Sequence, residues 1–415
     1  MKIKRIALVL LVVALSGCAA LYTQYAACVR VTPVPLKDLP ATHAPGSLDG
    51  AECIGSYSLP ASRALLWYAG LSKEVAISDG AKLYRVRYWT VDTHGVETIA
   101  SGLVAIPKKL KPRGVVSYQH GTRTQRAFGP SRPSLDEGVL IAAVFAGGNY
   151  LVTAPDYIGF GASTLPHPYV HAATEASATV DLLKAAEQLS KHLGVNWAPS
   201  VYLLGFSQGG HATAAAHRAL EKEDDPRFQV AASAPISGVY DLAGITFPHT
   251  LEGKSTASSM YLAFLFNAYS SAYDKPLSDI VVPSYCKPIP MLFDGNHTED
   301  EVMNSLPAKP RKMLTAEFAE AYDKGQPHWL MTALRENGVI NWTPKAPVRA
   351  YYGEEDIDVS PQEALTLAAA GAKAGANIQA VSTGACDHTG SVYRAVPQVR
   401  AWFDQISSRP AQPGS

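Results

Sequence analysis

A serine flanked by glycines stands where an apolar run of the chain meets an alanine-rich run. Residues 205–210 read GFSQGG; the apolar run 201–204 precedes them and the small-residue run 211–220 follows them. In a G-x-S-x-G turn between a strand and a helix, the serine is held in a strained conformation with its hydroxyl exposed. The helix amino terminus directs backbone N–H groups toward any oxyanion formed beside that serine. Ser207 is therefore the predicted nucleophile.

A serine hydroxyl is a weak nucleophile, so it needs a base and an acid that orients the base. In this type of turn, the chain order is serine, acid, histidine. Residues 351–361 read YYGEEDIDVSP and follow an apolar strand-like run, which places carboxylates at the same sheet edge as Ser207. Asp356 and Asp358 are both candidates for the acid. Of the twelve histidines, His388 has the required order and follows the last strand-like run, so it is the predicted base.

Two backbone amides are expected to stabilise the oxyanion. One is the amide of Gln208, directly after the nucleophile, and the other comes from the loop after the third strand of such a sheet. That loop reads SYQHGT over residues 117–122, so Thr122 is the predicted second donor. The alternative is that His120 and Gly121 only form a tight turn.

The elements that must position these residues alternate along the chain. Residues 82–92 and 97–107 show the two-residue period of strands, and short apolar runs bounded by turn residues follow them. Residues 172–193 have apolar positions at helical spacing. Strands that alternate with helices predict a mainly parallel sheet covered by helices on both faces. The other predicted strands are 114–118, 150–154, 201–204, 230–237, 348–352 and 378–382.

The interval from residue 241 to residue 345 contains no clear core strand. It holds an apolar segment, MYLAFLF, at residues 260–266. We expect a mainly helical insertion that either packs on itself or covers the active site as a cap.

The first 17 residues are predicted to be a signal peptide. A basic start (MKIKR) precedes an apolar run that is too short to span a bilayer permanently. Residues 15–18 (LSGC) resemble the lipobox of bacterial lipoproteins, which implies lipid on the Cys18 thiol and a membrane anchor. The alternative is an ordinary signal peptide with a chance cysteine. Ala19, the residue after the anchor cysteine, resembles the residue at that position in Gram-negative lipoproteins that are retained at the outer membrane.

Residues 18–55 are rich in Pro, Ala and Thr, which is typical of a tether or a strap on the surface. The core is expected over 56–240 and 346–408, with a tail at 409–415. Without Cys18, four cysteines remain for an oxidising compartment, and they allow three pairings. We favour Cys28 with Cys53 and Cys286 with Cys386. No cysteine or histidine spacing indicates a metal site.

Charge and length exclude some classes of function. The 415 residues contain 36 Lys and Arg against 36 Asp and Glu, with no basic run that would bind a nucleic-acid backbone. The length exceeds the roughly 250–300 residues at which a single core stops growing. We therefore expect one elaborated domain or two domains, and no nucleic-acid partner.

Several segments together resemble the α/β-hydrolase superfamily, and in particular the secretory lipases of the fungal lipase A type and their bacterial esterase relatives. The stretch PDYIGFG at residues 155–161 is the most discriminating piece, and the resemblance covers about residues 80–408. It implies hydrolysis of carboxylic esters, a helical cap inserted before the acid, and no cofactor. The segments that carry it are QHGT at 119–122, APDYIGFG at 154–161, GFSQGG at 205–210, the Asp356 segment and His388.

The resemblance also favours one of the two acids. Gly353, Asp356 and Val359 match the G-x-x-D-x-x-V segment that supplies the acid in many hydrolases of this type. Asp156 and Tyr157 are interpreted as structural hydrogen-bonding residues.

Other polar residues near these segments receive structural interpretations. His211, one helical turn after Ser207, is expected to be a packing residue. His167 and His171 are expected on the surface or at a helix start, and Asp387 in a loop or as a helix cap.

The leading hypothesis is a lipid-anchored serine esterase or lipase that acts on a small-molecule or lipid ester through an acyl-enzyme. A serine peptidase or aminopeptidase on the same fold is the second, because the same triad serves amides. A non-catalytic lipoprotein scaffold is the third, although the complete set of catalytic residue types argues against it. The cap has many Tyr and Phe and little charge, which favours an apolar acyl group.

Overall fold

The computed structural model describes residues 31–36, 43–109, 111–132 and 137–408. The predicted signal peptide, Cys18, Cys28 and the tail lie outside the described residues, so the predictions made for them stay predictions.

The described strands form one mixed ten-stranded sheet. They are β1 (Thr32–Pro33), β2 (Leu48–Tyr57), β3 (Ala81–Val91), β4 (Glu97–Pro107), β5 (Val115–Gln119), β6 (Leu151–Pro155), β7 (Ser200–Phe206), β8 (Gln229–Ile236), β9 (Val348–Tyr352) and β10 (Ile378–Ser382). Strands β1 to β4 pair antiparallel in sequence order, and β4 pairs antiparallel with β6. From there the order is β6-β5-β7-β8-β9-β10, with every pair parallel.

The parallel strands are buried on both faces. Val115 and Val201 pack into the core on one face, whereas Val116, Tyr202 and Leu204 pack into the core on the other. Successive side chains of a strand point to opposite faces, so a strand covered twice reads as a continuous apolar run.

Thirteen α-helices are described, in addition to short 3₁₀ and π turns. They are α1 (Leu59–Tyr68), α2 (Glu137–Ala146), α3 (Ala172–His192), α4 (Gln208–Glu223), α5 (Phe247–Glu252), α6 (Ser258–Ala272), α7 (Pro283–Cys286), α8 (Pro288–Leu292), α9 (Glu299–Ser305), α10 (Ala316–Asp323), α11 (Trp329–Asn337), α12 (Gln362–Lys373) and α13 (His388–Ser407). Helices α1, α2 and α13 contribute to the core on one face, and α3 and α4 to the core on the other. Within the described residues, no helix has the length and apolarity needed to cross a bilayer.

The connection from β8 to β9, residues 237–347, is the inserted segment. It holds α5 to α11 and buries a core of its own that includes Phe247, Phe266 and Leu330. It also packs on the loop before α3, where the ring of Phe264 stacks on that of Tyr169 at 4.5 Å between centroids. The inserted segment therefore packs both on itself and on the rest of the molecule.

The main difference from the predicted elements is at the amino-terminal side. Residues 48–55 were expected in a strap, but they form most of β2, with Leu48, Ala51 and Ile54 buried. Two register shifts interrupt the pairing of β2 with β3, so the segment lacks the regular alternation that identifies a strand in sequence.

One of the two predicted disulfides is absent from the described part of the chain. Cys53, Cys286 and Cys386 are free thiols, so the predicted bond between Cys286 and Cys386 is wrong. Cys286 ends α7 in the inserted segment and contacts the Val281 carbonyl, whereas Cys386 lies in the core beside Thr383. The pairing predicted for Cys53 involves Cys28, which is outside the described residues.

Candidate active site

Ser207 occupies the turn between β7 and α4. Its backbone has φ 58° and ψ −120°, a conformation that a non-glycine residue adopts only when its surroundings impose it. The Ser207 amide donates to the Ile236 carbonyl at 2.9 Å, and the Gly210 amide donates to the Ser207 carbonyl at 2.8 Å. The neighbouring strand β8 and the first turn of α4 thus hold the serine in place.

The glycines on either side of Ser207 allow this close approach. A Cβ atom at Gly209 would lie 1.9 Å from the Gln119 carbonyl oxygen, and one at Gly205 would lie 2.1 Å from the Gly209 carbonyl oxygen. Neither position has room for a side chain unless the backbone shifts.

His388 and Asp356 form a buried pair at the same edge of the sheet. His388 Nδ1 lies 2.7 Å from Asp356 Oδ2, and the two residues are 8% and 4% exposed. The other oxygen of Asp356 accepts from the backbone amides of Asp358 and Val359 at 3.0 and 2.9 Å. Because the carboxylate accepts, His388 Nδ1 carries the hydrogen and Nε2 is left as the acceptor.

The alternative acid, Asp358, is not paired with His388. Its carboxylate accepts from the hydroxyl of Ser255, and it lines the cavity beside the pair. Close backbone contact joins the acid loop to the histidine loop, since a Cβ at Gly353 would lie 2.5 Å from the Cys386 carbonyl oxygen. The two loops are therefore in direct contact beside the pair of His388 and Asp356.

Ser207 and His388 line the same cavity, which has a volume of about 1310 Å³. Among the described residues, neither the Ser207 hydroxyl nor His388 Nε2 has a hydrogen-bond partner. Catalytic hydrogen bonds are often long in the absence of substrate and tighten when it binds. Phe206 packs on the His388 ring, with 4.6 Å between centroids.

The predicted oxyanion loop follows β5 and runs beside Ser207. A Cβ at Gly121 would lie 3.3 Å from the Phe206 carbonyl and 3.6 Å from the Ser207 Cβ. Within the described part of the chain, the backbone amides of Thr122 and Gln208 donate no hydrogen bond. Two unpaired amides thus accompany the serine, as an oxyanion site requires.

His120 holds this loop in place. Its Nδ1 lies 2.7 Å from the Gly121 carbonyl and its Nε2 lies 3.2 Å from the Asp156 carbonyl. Burial lowers the pKa of His120 to about 4, so the ring is neutral. The Asp156 side chain accepts from Ser101 and Ser131, which agrees with a structural role.

The cavity combines an apolar lining with a charged one. The charged side chains are three carboxylates, those of Glu137, Glu299 and Asp358, and the guanidinium of Arg123, which donates to Glu137 at 2.7 Å. Tyr261 and Glu299 come from the inserted segment, so this segment forms part of the cavity. The apolar lining includes Leu65, Leu71, Leu140, Ile141, Val392 and Val396.

Two residues near the site differ from their sequence interpretation or were missed. His167 was expected at the surface or at a helix start, yet it is 6% exposed and lies against Gln208. Glu175 was not singled out, although it joins Gln208 to His211. A glutamate inside the otherwise small and apolar first turns of a buried helix was the available signal. His171 and Asp387 are the N-caps of α3 and α13, as their interpretations allowed.

In the described ranges, no group of three or more His, Cys, Asp or Glu side chains is arranged to hold a metal ion.

Comparison with solved structures identifies close relatives of this fold. A Legionella pneumophila protein provisionally assigned as a hydrolase is 28% identical, with a TM-score of 0.83 over 88% of this chain and 99% of that one. The rice cell wall degrading esterase LipA from Xanthomonas oryzae is 25% identical, with a TM-score of 0.78 over 87% and 98%. Candida antarctica lipase A in its closed state is 16% identical, with a TM-score of 0.66 over 92% and 86%, and this likeness concerns the fold alone. The predicted α/β-hydrolase fold is confirmed.

A search of curated proteins finds no match. The model of the secretory lipase family matches residues 135–412, which is more than half of the chain and includes Ser207, Asp356 and His388. The chain therefore belongs to the secretory lipase family, and ester hydrolysis is the activity that this membership supports.

Proposed function

We propose that this protein is a serine carboxylic ester hydrolase with Ser207 as nucleophile, His388 as general base and Asp356 as the acid that orients it. The observation that carries the proposal is the 2.7 Å contact between His388 and Asp356, which leaves His388 Nε2 open to the cavity that Ser207 lines. Asp356 fixes the imidazole tautomer and stabilises the imidazolium that forms during the reaction.

The reaction proceeds in two halves. Ser207 Oγ attacks the ester carbonyl carbon while its proton passes to His388 Nε2. The imidazolium then gives that proton to the departing alcohol oxygen, which leaves an acyl group on Ser207. A water molecule, deprotonated by the same nitrogen, releases the acid and restores the serine.

The backbone amides of Thr122 and Gln208 are the proposed donors to the oxyanion. They are fixed by β5, β7 and the start of α4, so little rearrangement is needed as charge develops on the carbonyl oxygen. The positive end of the α4 dipole adds to the same effect.

The cavity lining supports an ester whose acyl group is apolar and whose alcohol is not anionic. Aliphatic side chains such as Leu140 and Val392 offer a surface for an acyl chain. Glu299 and Asp358 add carboxyl groups to the lining, and Arg123 does not offset them because it is paired with Glu137. An anionic alcohol would enter an unfavourable potential there. We propose that the inserted segment acts as a cap, because Tyr261 and Glu299 bring it to the cavity.

Export is consistent with membership of a family of secretory enzymes. We propose in addition that Cys18 carries a lipid anchor, on the strength of the LSGC sequence at residues 15–18. Metabolic labelling with a radioactive fatty acid tests this: wild type should be labelled, and Cys18→Ser should be unlabelled.

Labelling with a fluorophosphonate tests the nucleophile. The folded full-length protein in detergent should be modified at Ser207, whereas Ser207→Ala and heat-denatured wild type should not be. A folded wild-type protein that resists labelling, or a label mapped to another serine, would refute the assignment.

A substrate panel tests the class of reaction. p-Nitrophenyl esters with acyl chains from acetate to palmitate should be hydrolysed, and the matched p-nitroanilides should be far poorer substrates. Faster anilide turnover would support the peptidase instead. Methyl 4-acetoxybenzoate should be preferred over the anionic 4-acetoxybenzoate, and Glu299→Gln should reduce that preference.

A further inference from the structure

A second buried polar network lies behind the nucleophile and includes the side chain of Gln208. The Gln208 Nε2 donates to Glu175 Oε1 at 2.8 Å and lies 2.8 Å from His167 Nε2. Gln208 and Glu175 are each 1% exposed. The two hydrogens of the amide group thus meet two acceptors in the interior of the protein.

The proton positions in this network follow from its acceptors. His167 Nδ1 donates to the Ile158 carbonyl at 2.7 Å, so its Nε2 is free to accept from Gln208. His211 Nδ1 lies 2.6 Å from Glu175 Oε2, and His211 Nε2 lies 2.8 Å from the Asn337 carbonyl. Both partners of His211 offer oxygen atoms to its ring nitrogens, so the ring is held at both ends between Glu175 and Asn337.

The network also reaches the inserted segment. Asn337, in α11, supplies the carbonyl that His211 contacts, and its side-chain oxygen accepts from the Ala172 amide at 2.9 Å. Its Nδ2 donates to the Tyr273 hydroxyl at 2.6 Å. The position of α4 is therefore tied to α3 and to the inserted segment through a single set of hydrogen bonds.

We propose that Glu175 is a positioning residue for catalysis, which holds the side chain of Gln208 and so fixes the direction of the Gln208 backbone N–H. The inference rests on the proposed function, in which that amide is an oxyanion donor. Gln208 is the first residue of α4, where no earlier helical turn restrains it. Its buried side chain adds a second restraint to the hydrogen bond that the Gly210 amide donates to the Ser207 carbonyl, and Glu175 is the partner of that side chain.

This role predicts a specific kinetic signature. Oxyanion donors act on the transition state, so their loss of alignment lowers kcat and leaves KM nearly unchanged. Glu175→Leu should lower kcat for p-nitrophenyl butyrate by about 10- to 100-fold, in the range expected of a displaced donor, with KM changed by less than about threefold. Inhibition by butylboronic acid, whose tetrahedral adduct places an oxygen at the oxyanion site, should weaken by a similar factor.

Two further variants separate positioning from a general structural role. Glu175→Gln keeps an acceptor for Gln208 and a side chain of the same shape that can hydrogen-bond to His211, so it should retain kcat to within about threefold. Gln208→Met keeps the backbone N–H and the Glu175–His211 pair but removes the anchored amide, so it should lose kcat as Glu175→Leu does. The double variant Glu175→Leu/Gln208→Met should be no slower than the slower single variant, because both changes remove the same contact.

A matched control is available on the same helix. Asp181 is a buried carboxylate of α3 that accepts from Thr90 and has no contact with Gln208. Asp181→Leu should lower Tm while kcat stays within about twofold of wild type. An equal loss of kcat in Asp181→Leu and Glu175→Leu would overturn the inference.

The outcomes are distinguishable from those for the proposed function. A wild-type protein without esterase activity or fluorophosphonate labelling contradicts the proposed function itself. An active wild type with undiminished kcat in Glu175→Leu overturns only the inference. If Glu175→Leu fails to fold, Gln208→Met decides, and an unchanged kcat and boronate affinity there would overturn the positioning role.

Discussion

Two histidine–carboxylate pairs lie on either side of the Ser207 turn, and they differ in what their second ring nitrogen contacts. In the pair of His388 and Asp356, Nδ1 is bonded and Nε2 has no partner among the described residues. In the pair of His211 and Glu175, both ring nitrogens are bonded, at 2.6 and 2.8 Å. The first pair adjoins a cavity, whereas the second is 0% and 1% exposed.

The difference separates a group that can move a proton from one that cannot. A general base must have an unoccupied acceptor within reach of the proton that it takes. His211 lacks such an acceptor, although it lies only one helical turn from Ser207. Proximity in sequence to the proposed nucleophile is therefore a poor guide, and the unbonded nitrogen together with access to the cavity favours His388 over His211 as the proposed base.

The largest expected effect is the loss of turnover when the pair of His388 and Asp356, which we call the open pair, or the serine beside it is changed. His388→Ala and Ser207→Ala should each lower kcat by several orders of magnitude, because triad members act as a unit. Hydrolysis of p-nitrophenyl butyrate by purified variants measures this. The double variant should be no slower than the slower single one, and residual activity within tenfold of wild type would contradict the assignment of the base.

The next effect distinguishes the two neighbouring acids. Asp356→Asn should lower kcat by on the order of 10²- to 10⁴-fold, because the amide no longer fixes the His388 tautomer. Asp358→Asn, as the matched control, should stay within about fivefold of wild type, since its carboxylate accepts from Ser255 rather than from His388. Side-by-side kinetics decide the matter, and the reverse order of effects would make Asp358 the acid.

The pair of His211 and Glu175, which we call the closed pair, should contribute more to the stability of the fold than the open pair. His211→Ala leaves one carboxyl oxygen of the fully buried Glu175 without its hydrogen-bond partner, a change that typically costs about 1–3 kcal/mol of unfolding free energy. His388→Ala should cost less, because Asp356 keeps two backbone N–H donors and the vacated space adjoins the cavity. Guanidinium unfolding of both variants measures the difference, and equal destabilisation would contradict it.

The smallest effect is on the pH dependence of the unfolding free energy and involves His167, the buried histidine that contacts Gln208. Burial lowers its pKa to about 3, from about 6.5 in the unfolded chain. Below pH 6.5 the unfolded state therefore binds a proton that the folded state does not. Protonation of His167 in the unfolded chain therefore lowers the unfolding free energy progressively as the pH falls from 6.5 toward 3, and it has no effect above pH 6.5.

Replacement of His167 by a residue that does not titrate should remove that contribution. Between pH 6 and pH 4, the unfolding free energy of His167→Gln should depend on pH less steeply than that of wild type, by up to about 1.4 kcal/mol per pH unit. Comparison of the two slopes cancels the opposite effect of Glu363, whose pKa burial raises to about 7. Parallel slopes would show that His167 titrates alike in both states.

Much of the fold could be predicted because local patterns carried it. Strands β4, β9 and β10 have the predicted bounds, and α3 ends one residue early, since buried strands and amphipathic helices leave regular patterns. Strand β2 was missed because its register shifts disrupt the alternation. The disulfide between Cys286 and Cys386 was wrong because cysteine spacing carries no information on which parts of the chain meet.

By itself, the sequence determined the turn that holds Ser207, the order of serine, acid and histidine, and the alternation of strands and helices that places them at one sheet edge. These features depend on residue types over short ranges, such as the glycines at 205 and 209, where no side chain fits. Tertiary structure placed Asp356, and not Asp358, against His388, although the two residues are chemically identical and two positions apart. It also assigned His211 and Glu175 to a closed pair, because hydrogen-bond partners that come from distant segments are set by packing and not by spacing.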